Sequence, residues 1–376
     1  MRRLSTLRPV ASPGIIVSVA LAVTITVLVW VAVGSSASLA REPTVPGKEW
    51  ARKTPAEARL DGPRLEVFSR HVGGRGCVVR HGYLVHTWGD VRRRGDVASA
   101  SKPWFAHFLF KAIEDGKISG LDEKVRKWEP RLDGINEGLA HKDRNITWRH
   151  LATQTSCYGV REKPGEAFCY NDWQMALFWD TLFLKVHGAS LEDVDRKVLR
   201  PSLTDILECQ DRPTFLAFGA RDRPGRVGVS PRDFARFGLL YLGGGKWRGK
   251  QLLDAKLVRQ AVTSPLPNTV PRAGETRAEM IPGQRSLGSR KVPDNQTDHL
   301  GSYSWLWWTN GVDRHGKRHW PAAPLDTYGA FGHGGPRALV VIPSLDLVVS
   351  WNDTRVRGRQ AENRALELLV SAVTDK

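Results

Sequence analysis

Ser99-Ala100-Ser101-Lys102 is the only S-x-x-K in this chain. On a helix, residues three apart share a face, so Lys102 can reach the Ser99 hydroxyl. A serine hydroxyl is a poor nucleophile until a neighbouring base accepts its proton, and a desolvated lysine can serve. A helix N-terminus at this point would also aim backbone N–H groups at developing negative charge. A helix cap followed by a surface lysine would give the same letters. The strong helical pattern that follows favours the chemical reading, with Ser99 as nucleophile and Lys102 beside it.

Two further segments have suitable residues. Pro164 to Asp172 is a loop-like run ending in Tyr170-Asn171-Asp172, and an apolar stretch from Met175 to Phe178 follows. A tyrosine at a loop-to-helix junction can act as a phenolate base if a cation lowers its pKa, and Lys102 would be that cation. An isolated tyrosine would more simply be packing. Ala330-Phe331-Gly332-His333-Gly334-Gly335-Pro336 precedes a strand-like pair. Glycines at a strand edge let a substrate lie against the backbone, and a histidine among them stands at the mouth.

The elements that must position these groups follow from periodicity. Leu60 to Val72 reads as a helix. Cys77 to Arg80 and Tyr83 to Trp88 read as a hairpin turning at His81-Gly82. Trp104 to Ile113 has helical spacing and stops at Gly116. Ser230-Pro231 caps a helix that ends at Gly243-Gly244-Gly245. Residues 265–300 read as a long surface loop or lid. Ser302 to Thr309, Ala338 to Ile342 and Leu347 to Trp351 read as strands, and Glu362 to Val373 as a closing helix. Strands at both ends with a helical middle predict an α+β fold: an antiparallel sheet built from both termini, flanked by helices, with a mainly helical subdomain.

The chain has 376 residues, a net charge of +17 and ordinary globular composition. Its basic residues are spread out, which favours solubility and attraction to an anionic envelope over a nucleic-acid site. Arg2, Arg3 and Arg8 precede an uncharged run from Ile15 to Val33 that is apolar but for Ser18, Thr24 and Thr26. That run is close to the roughly 20 residues of a membrane-spanning helix. Residues 1–40 are therefore expected to be a signal peptide, with Ser38-Leu39-Ala40 as a cleavage site, or an anchor, the reading favoured here. Either places the remainder outside the cytoplasm, periplasmic or secreted. Residues 41–57 read as a tether and 58–376 as the folded domain. Cys77, Cys157, Cys169 and Cys209 match no metal pattern and could form one or two disulfides, or be small buried residues. A Cys157–Cys169 bond would brace the segment before Tyr170.

Together the three segments resemble the serine beta-lactamase-like and penicillin-binding-protein-like hydrolases: class C beta-lactamases, D-aminopeptidases, beta-lactamase-type carboxylesterases and aminohexanoate-oligomer hydrolases. Ile146-Thr147 to Thr155-Ser156 and Val341 to Val349 are similar to further motifs of that family. The resemblance covers residue 60 to the C-terminus and implies a beta-lactamase-like fold. It also implies Tyr170 as the second base and an acyl-enzyme mechanism needing no metal or cofactor. The chain departs from the family twice. Asp172 stands where Y-x-N has an amide, and a carboxylate cannot donate to a substrate carbonyl unless protonated. The K-T-G triad is absent, which removes the cation that receives a beta-lactam carboxylate. Aligning His333-Gly334-Gly335 with the triad would make Pro336, which has no N–H, the oxyanion donor. Aligning Ala330-Phe331-Gly332 makes His333 that donor, with the Ser99 N–H as the other, and is preferred. The expected substrate is a small ester, amide or peptide rather than a beta-lactam. A D,D-peptidase, a weak beta-lactamase or an inactive binder of envelope polymer are the alternatives.

Overall fold

Both ends of the chain contribute to one six-stranded sheet in the computed structural model, which describes residues 44–375. The N-terminal hairpin, β1 (Arg75–Arg80) and β2 (Tyr83–Trp88), joins β3 (Trp308–Thr309), β4 (Tyr328–Gly332), β5 (Arg337–Ile342) and β6 (Leu347–Asn352). The order is β2-β1-β6-β5-β4-β3, with every neighbouring pair antiparallel. Alternating side chains go to opposite faces, as the two-residue period of a strand requires. Val79, Leu339, Val341 and Val348 enter the larger core. Val78, Val340, Val349 and Trp351 enter the smaller one.

The smaller core is closed by α1 (Gly62–Val72) and α5 (Gly358–Ser371), which supply Leu65, Phe68, Leu366 and Leu369. Asp61 starts α1 by accepting from the Arg64 N–H at 2.9 Å. The larger core holds α2 (Lys102–Glu114), α3 (Asp172–Trp179) and α4 (Pro231–Leu242). Ser230 caps α4, and the helix lies so close to the sheet that a Cβ at Gly238 would come within 2.6 Å of Val348. On α2, every residue from Lys102 to Phe110 is buried. Each of its large apolar side chains contributes about 1.5–3 kcal/mol by burial. That anchoring makes its first turn, where Ser99 and Lys102 sit, a rigid platform. The architecture is thus the mixed α+β class read from the sequence, with the helices concentrated between β2 and β3.

Several expectations are corrected. Ser302 to Leu306 is not a strand: the Ser304 N–H donates to the Trp307 carbonyl at 2.9 Å, and only Trp308–Thr309 pairs with the sheet. A short apolar run can be buried in a turn as well as in a strand, and Trp305 and Trp307 are. The stretch expected to be a tether is instead packed where it is described. Trp50 is buried, Arg52 bridges to Leu84, and Arg236 donates to the carbonyls of Gly47 and Lys48. All four cysteines are free thiols, and three are fully buried. Cys157 donates to the Ala167 carbonyl and Cys169 to the Asp294 carbonyl, and burial pushes their thiols up to about 12 and about 11. The apolar run 15–33 and the 38–40 site lie outside the described residues, among which no helix is long and apolar enough to cross a membrane.

Candidate active site

The Ser99 turn is built from its neighbours outward. Asp96 ends a two-residue strand paired with Gly228–Val229, and its carboxylate accepts the Ala98 N–H at 3.0 Å. Ala98 takes a left-handed φ of 50°, and Ala98–Ser101 forms a 3-10 turn leading into α2. Within that turn the Ser101 hydroxyl donates to the Ala98 carbonyl at 2.7 Å. Lys102 is therefore the first residue of α2, and its ammonium donates to the Ser99 Oγ at 2.8 Å.

Tyr170 reaches the same spot from the opposite wall. Lys102 Nζ lies 4.6 Å from the centroid of its ring. The ring stacks on Trp308 (6.2 Å, 27°) and meets Tyr303 edge-on, so its plane is set by packing. The backbone beneath is tied down as well. The Tyr170 carbonyl accepts from the Gln296 N–H at 3.0 Å, and the Gln154 side chain accepts from the Asn171 N–H at 3.2 Å. Asn171 is occupied as the cap of α3, accepting from the Gln174 N–H at 2.6 Å. Asp172 is the residue that faces the site, 3.6 Å from Lys102, with its other oxygen accepting from the Ser289 N–H at 3.0 Å.

This arrangement fixes the charges. Burial alone would lower the Lys102 pKa, but Tyr170 and Asp172 outweigh it and hold the ammonium above its usual range. Burial would raise Asp172, but Lys102 and the Ser289 N–H keep its carboxyl below the usual range. Lys102 and Asp172 are thus a charged pair beside the serine.

Gly332 ends β4 against the Ser99 turn, where a Cβ would strike the Val97 carbonyl, so only glycine fits. His333 follows with φ 52°, opening the β4–β5 turn. Among the described residues, no turn or loop hydrogen bond takes up the N–H groups of Ser99 and His333. Arg337 donates to His333 Nδ1 and lies 3.7 Å from Asp96. Arg226 grips Asp96 through two nitrogens, at 3.0 and 2.5 Å. With Nδ1 accepting, the imidazole proton sits on Nε2. Partial burial, Arg337 and Arg226 hold this histidine below its usual pKa.

The predicted residues meet at a cleft of about 1030 Å³ whose lining includes Ser99, Tyr170, Asp172 and His333. Lys102 lies buried behind Ser99, and Gly332 stands between the lining residues Phe331 and His333. Sequence reasoning missed Asp96, Arg226 and Arg337, which carry no local motif and converge only through the fold. It also gave residues 265–300 too loose a role. Asp294 accepts from the Asp172 N–H at 2.8 Å and Trp173 donates to the Lys291 carbonyl at 2.8 Å, so this irregular segment is a fixed wall of the cleft. Among the described residues no cluster of side chains could hold a metal ion.

Solved structures share this fold. A beta-lactamase from Mycobacterium bovis is 19% identical with a TM-score of 0.56, over 82% of this chain and 99% of its own. A penicillin-binding protein homologue from Caulobacter crescentus is 13% identical with a TM-score of 0.55, over 86% and 99%. EstCE1, described as a hydrolase with promiscuous acyltransferase activity, is 14% identical with a TM-score of 0.56, over 83% and 98%. At such identities the likeness speaks for the fold alone. No curated protein matches the sequence. The Beta-lactamase family matches residues 69–371, and on that match the chain belongs to the beta-lactamase family.

Proposed function

We propose that this protein is a serine hydrolase that cleaves a small ester or amide through an acyl-enzyme on Ser99. The observation that carries the reading is the 2.8 Å hydrogen bond from Lys102 to the Ser99 hydroxyl, with Tyr170 closing over the same ammonium. A charged Lys102 cannot accept the serine proton; the proposal gives that role to Tyr170 in its phenolate form, paired with the ammonium. As Oγ bonds to the substrate carbonyl carbon, its proton passes to the Tyr170 oxygen and the carbonyl oxygen becomes an oxyanion. The N–H groups of Ser99 and His333 receive that charge. The proton then goes to the leaving oxygen or nitrogen as its bond to carbon breaks. Water, activated by the same tyrosine, releases the acid and restores Ser99.

Asp172 shapes the substrate range. Its carboxylate is held charged beside Lys102, so it accepts hydrogen bonds where an amide would donate to a substrate carbonyl. With no triad lysine either, cephalosporins should be turned over far less well than esters. Residues 1–40 are proposed to carry the enzyme out of the cytoplasm, as a signal peptide or anchor. The test uses a panel of short-chain esters, D-amino-acid amides and a chromogenic cephalosporin, together with a fluorophosphonate probe read by mass spectrometry. Ester turnover and an adduct on Ser99, both absent in Ser99→Ala, are expected. Turnover in Ser99→Ala within tenfold of wild type refutes the nucleophile. Cephalosporin or D-amide turnover matching the best ester points to a wall-directed enzyme. No turnover and no adduct points to an inactive binder.

A further inference from the structure

The wall of the cleft continues beyond Tyr170 as a stack of rings. Trp308 stacks on Tyr170 and His319 stacks on Trp308 (5.4 Å, 12°), placing His319 two ring spacings from the base. At this end three polar groups converge from two elements. His319 is 5% exposed, lines the cleft, and has an Nδ1 with no hydrogen-bond partner. Arg359 lines the cleft from the first turn of α5, makes no ion pair among the described residues, and has a buried Nη1 with no partner. Glu362, three residues on and so on the same helix face, accepts from Trp320 Nε1 at 3.2 Å.

The other cations of the cleft are engaged or exposed. Arg226 is paired with Asp96, Arg272 donates to Asn295, Arg223 lies over the Phe218 ring, and Lys291 stands at the exposed rim. Asp313 acts on both Arg359 and His319 from beyond ion-pair distance. A guanidinium with no contacting counter-ion in a partly desolvated site is still costly, and a carboxylate is the group whose geometry its fork matches. We propose that Arg359, with the His319 imidazole, receives a carboxylate carried by the substrate at the end of its acyl chain, making the preferred substrates esters or amides of dicarboxylic hemi-acids. His319 stays neutral, held by burial and the Arg359 charge down to about 3, so its one N–H can donate while the charge comes from Arg359. Burial raises the Glu362 carboxyl to about 7, so it is about half protonated at neutral pH and becomes a third donor as the pH falls below that. The two ring spacings separate this group from the scissile bond, unlike an acid borne next to that bond.

This inference rests on the hydrolase reading, and the experiment separates the two. The probes are mono-4-nitrophenyl adipate and its methyl-capped ester, which differ in the terminal charge and one methyl group. In the wild-type protein the free acid should be favoured about tenfold in kcat/KM, mostly through KM, the effect of one charge-assisted contact. Arg359→Gln should bring that ratio close to one, and Arg359→Lys should restore part of it. A wild-type ratio of one or less, or a ratio unchanged in Arg359→Gln, overturns the proposal while leaving the hydrolase intact. If neither ester is turned over, the hydrolase reading fails, and the subsite is read by quenching of tryptophan fluorescence with adipate in Ser99→Ala. Saturable quenching that Arg359→Gln abolishes supports the subsite, and its absence overturns it.

Discussion

The carboxylate of Asp172 stands 3.6 Å from the ammonium of Lys102, on the flank of the bond that Lys102 makes to Ser99. A neutral amide at this position would remove the carboxylate that pairs with Lys102. Here the carboxylate shares the cation, which dilutes the field that Lys102 exerts on Tyr170. Asp172→Asn should therefore strengthen that field and supply an N–H donor for a substrate carbonyl. We expect the amide-to-ester ratio of kcat/KM to rise about two- to tenfold, the scale of one hydrogen bond. The Ser289 N–H can still donate to the new amide oxygen, so the loop should stay in place. An unchanged ratio in a folded variant would show that residue 172 does not touch the substrate.

Tyr170→Phe keeps the ring that packs on Trp308 and Tyr303 and removes only the phenolic oxygen. If that oxygen carries the proton between Ser99 and the leaving group, the loss should be about 10²–10⁴ in kcat. Circular dichroism and thermal melting should match the wild-type protein. A folded variant with nearly full activity would transfer the base role to Lys102 or His333.

How much of this was legible in the sequence depended on how local each signal was. Ser99-x-x-Lys102 lies on one helical turn, Tyr170 on one loop and Gly332-His333 at one strand end, so each was readable where it stood. The strands from Ala338 to Ile342 and Leu347 to Trp351 were readable because both of their faces are buried and the apolar run is continuous. The Asp96 grip on Arg226 joins residues 130 positions apart, and no spacing rule reports such a pair. Trp305 and Trp307 looked like strand residues because composition reports burial, not backbone direction. Trp50 was assigned to a tether because polar, proline-containing flanks mask a single anchoring ring.

Glu362 makes a stability prediction with a definite sign. Its folded pKa is raised to about 7 by burial, above its unfolded value of about 4.3. Between those values the folded state holds a proton that the unfolded state has lost. Stability therefore falls as pH rises from about 4.3 to 7 and levels off above. One pKa unit corresponds to about 1.4 kcal/mol, so the full effect is at most a few kcal/mol. Glu362→Gln keeps an acceptor for Trp320 Nε1 without the titration. Thermal melts should show the variant gaining on the wild-type protein from pH 5 to 8. A constant difference across that range would contradict the assignment.

Arg337 and His333 give the last prediction, which concerns the pH profile. The Arg337 guanidinium donates to His333 Nδ1, so protonating that nitrogen would break the bond and set two cations side by side. The groups that act on this ring are Arg337 from β5, Arg226 from the segment before Gly228, Asp96 from the short strand before Ser99, and Asp172 from α3. The two arginines and burial outweigh the two carboxylates and keep the imidazole neutral below its usual range near 6.5. Arg337→Met removes one of the opposing charges and frees Nδ1, so the His333 pKa should rise toward 6.5. A cationic His333 at the mouth of the cleft would change how substrate is held there. The ester kcat/KM of Arg337→Met should therefore bend near pH 6.5, where the wild-type profile carries no such break from this residue. Nitrogen NMR of the ring should show an Nε2–H tautomer persisting to lower pH in the wild-type protein than in the variant. A variant that loses activity equally at every pH, with the histidine resonances unmoved, would reduce Arg337 to a packing residue.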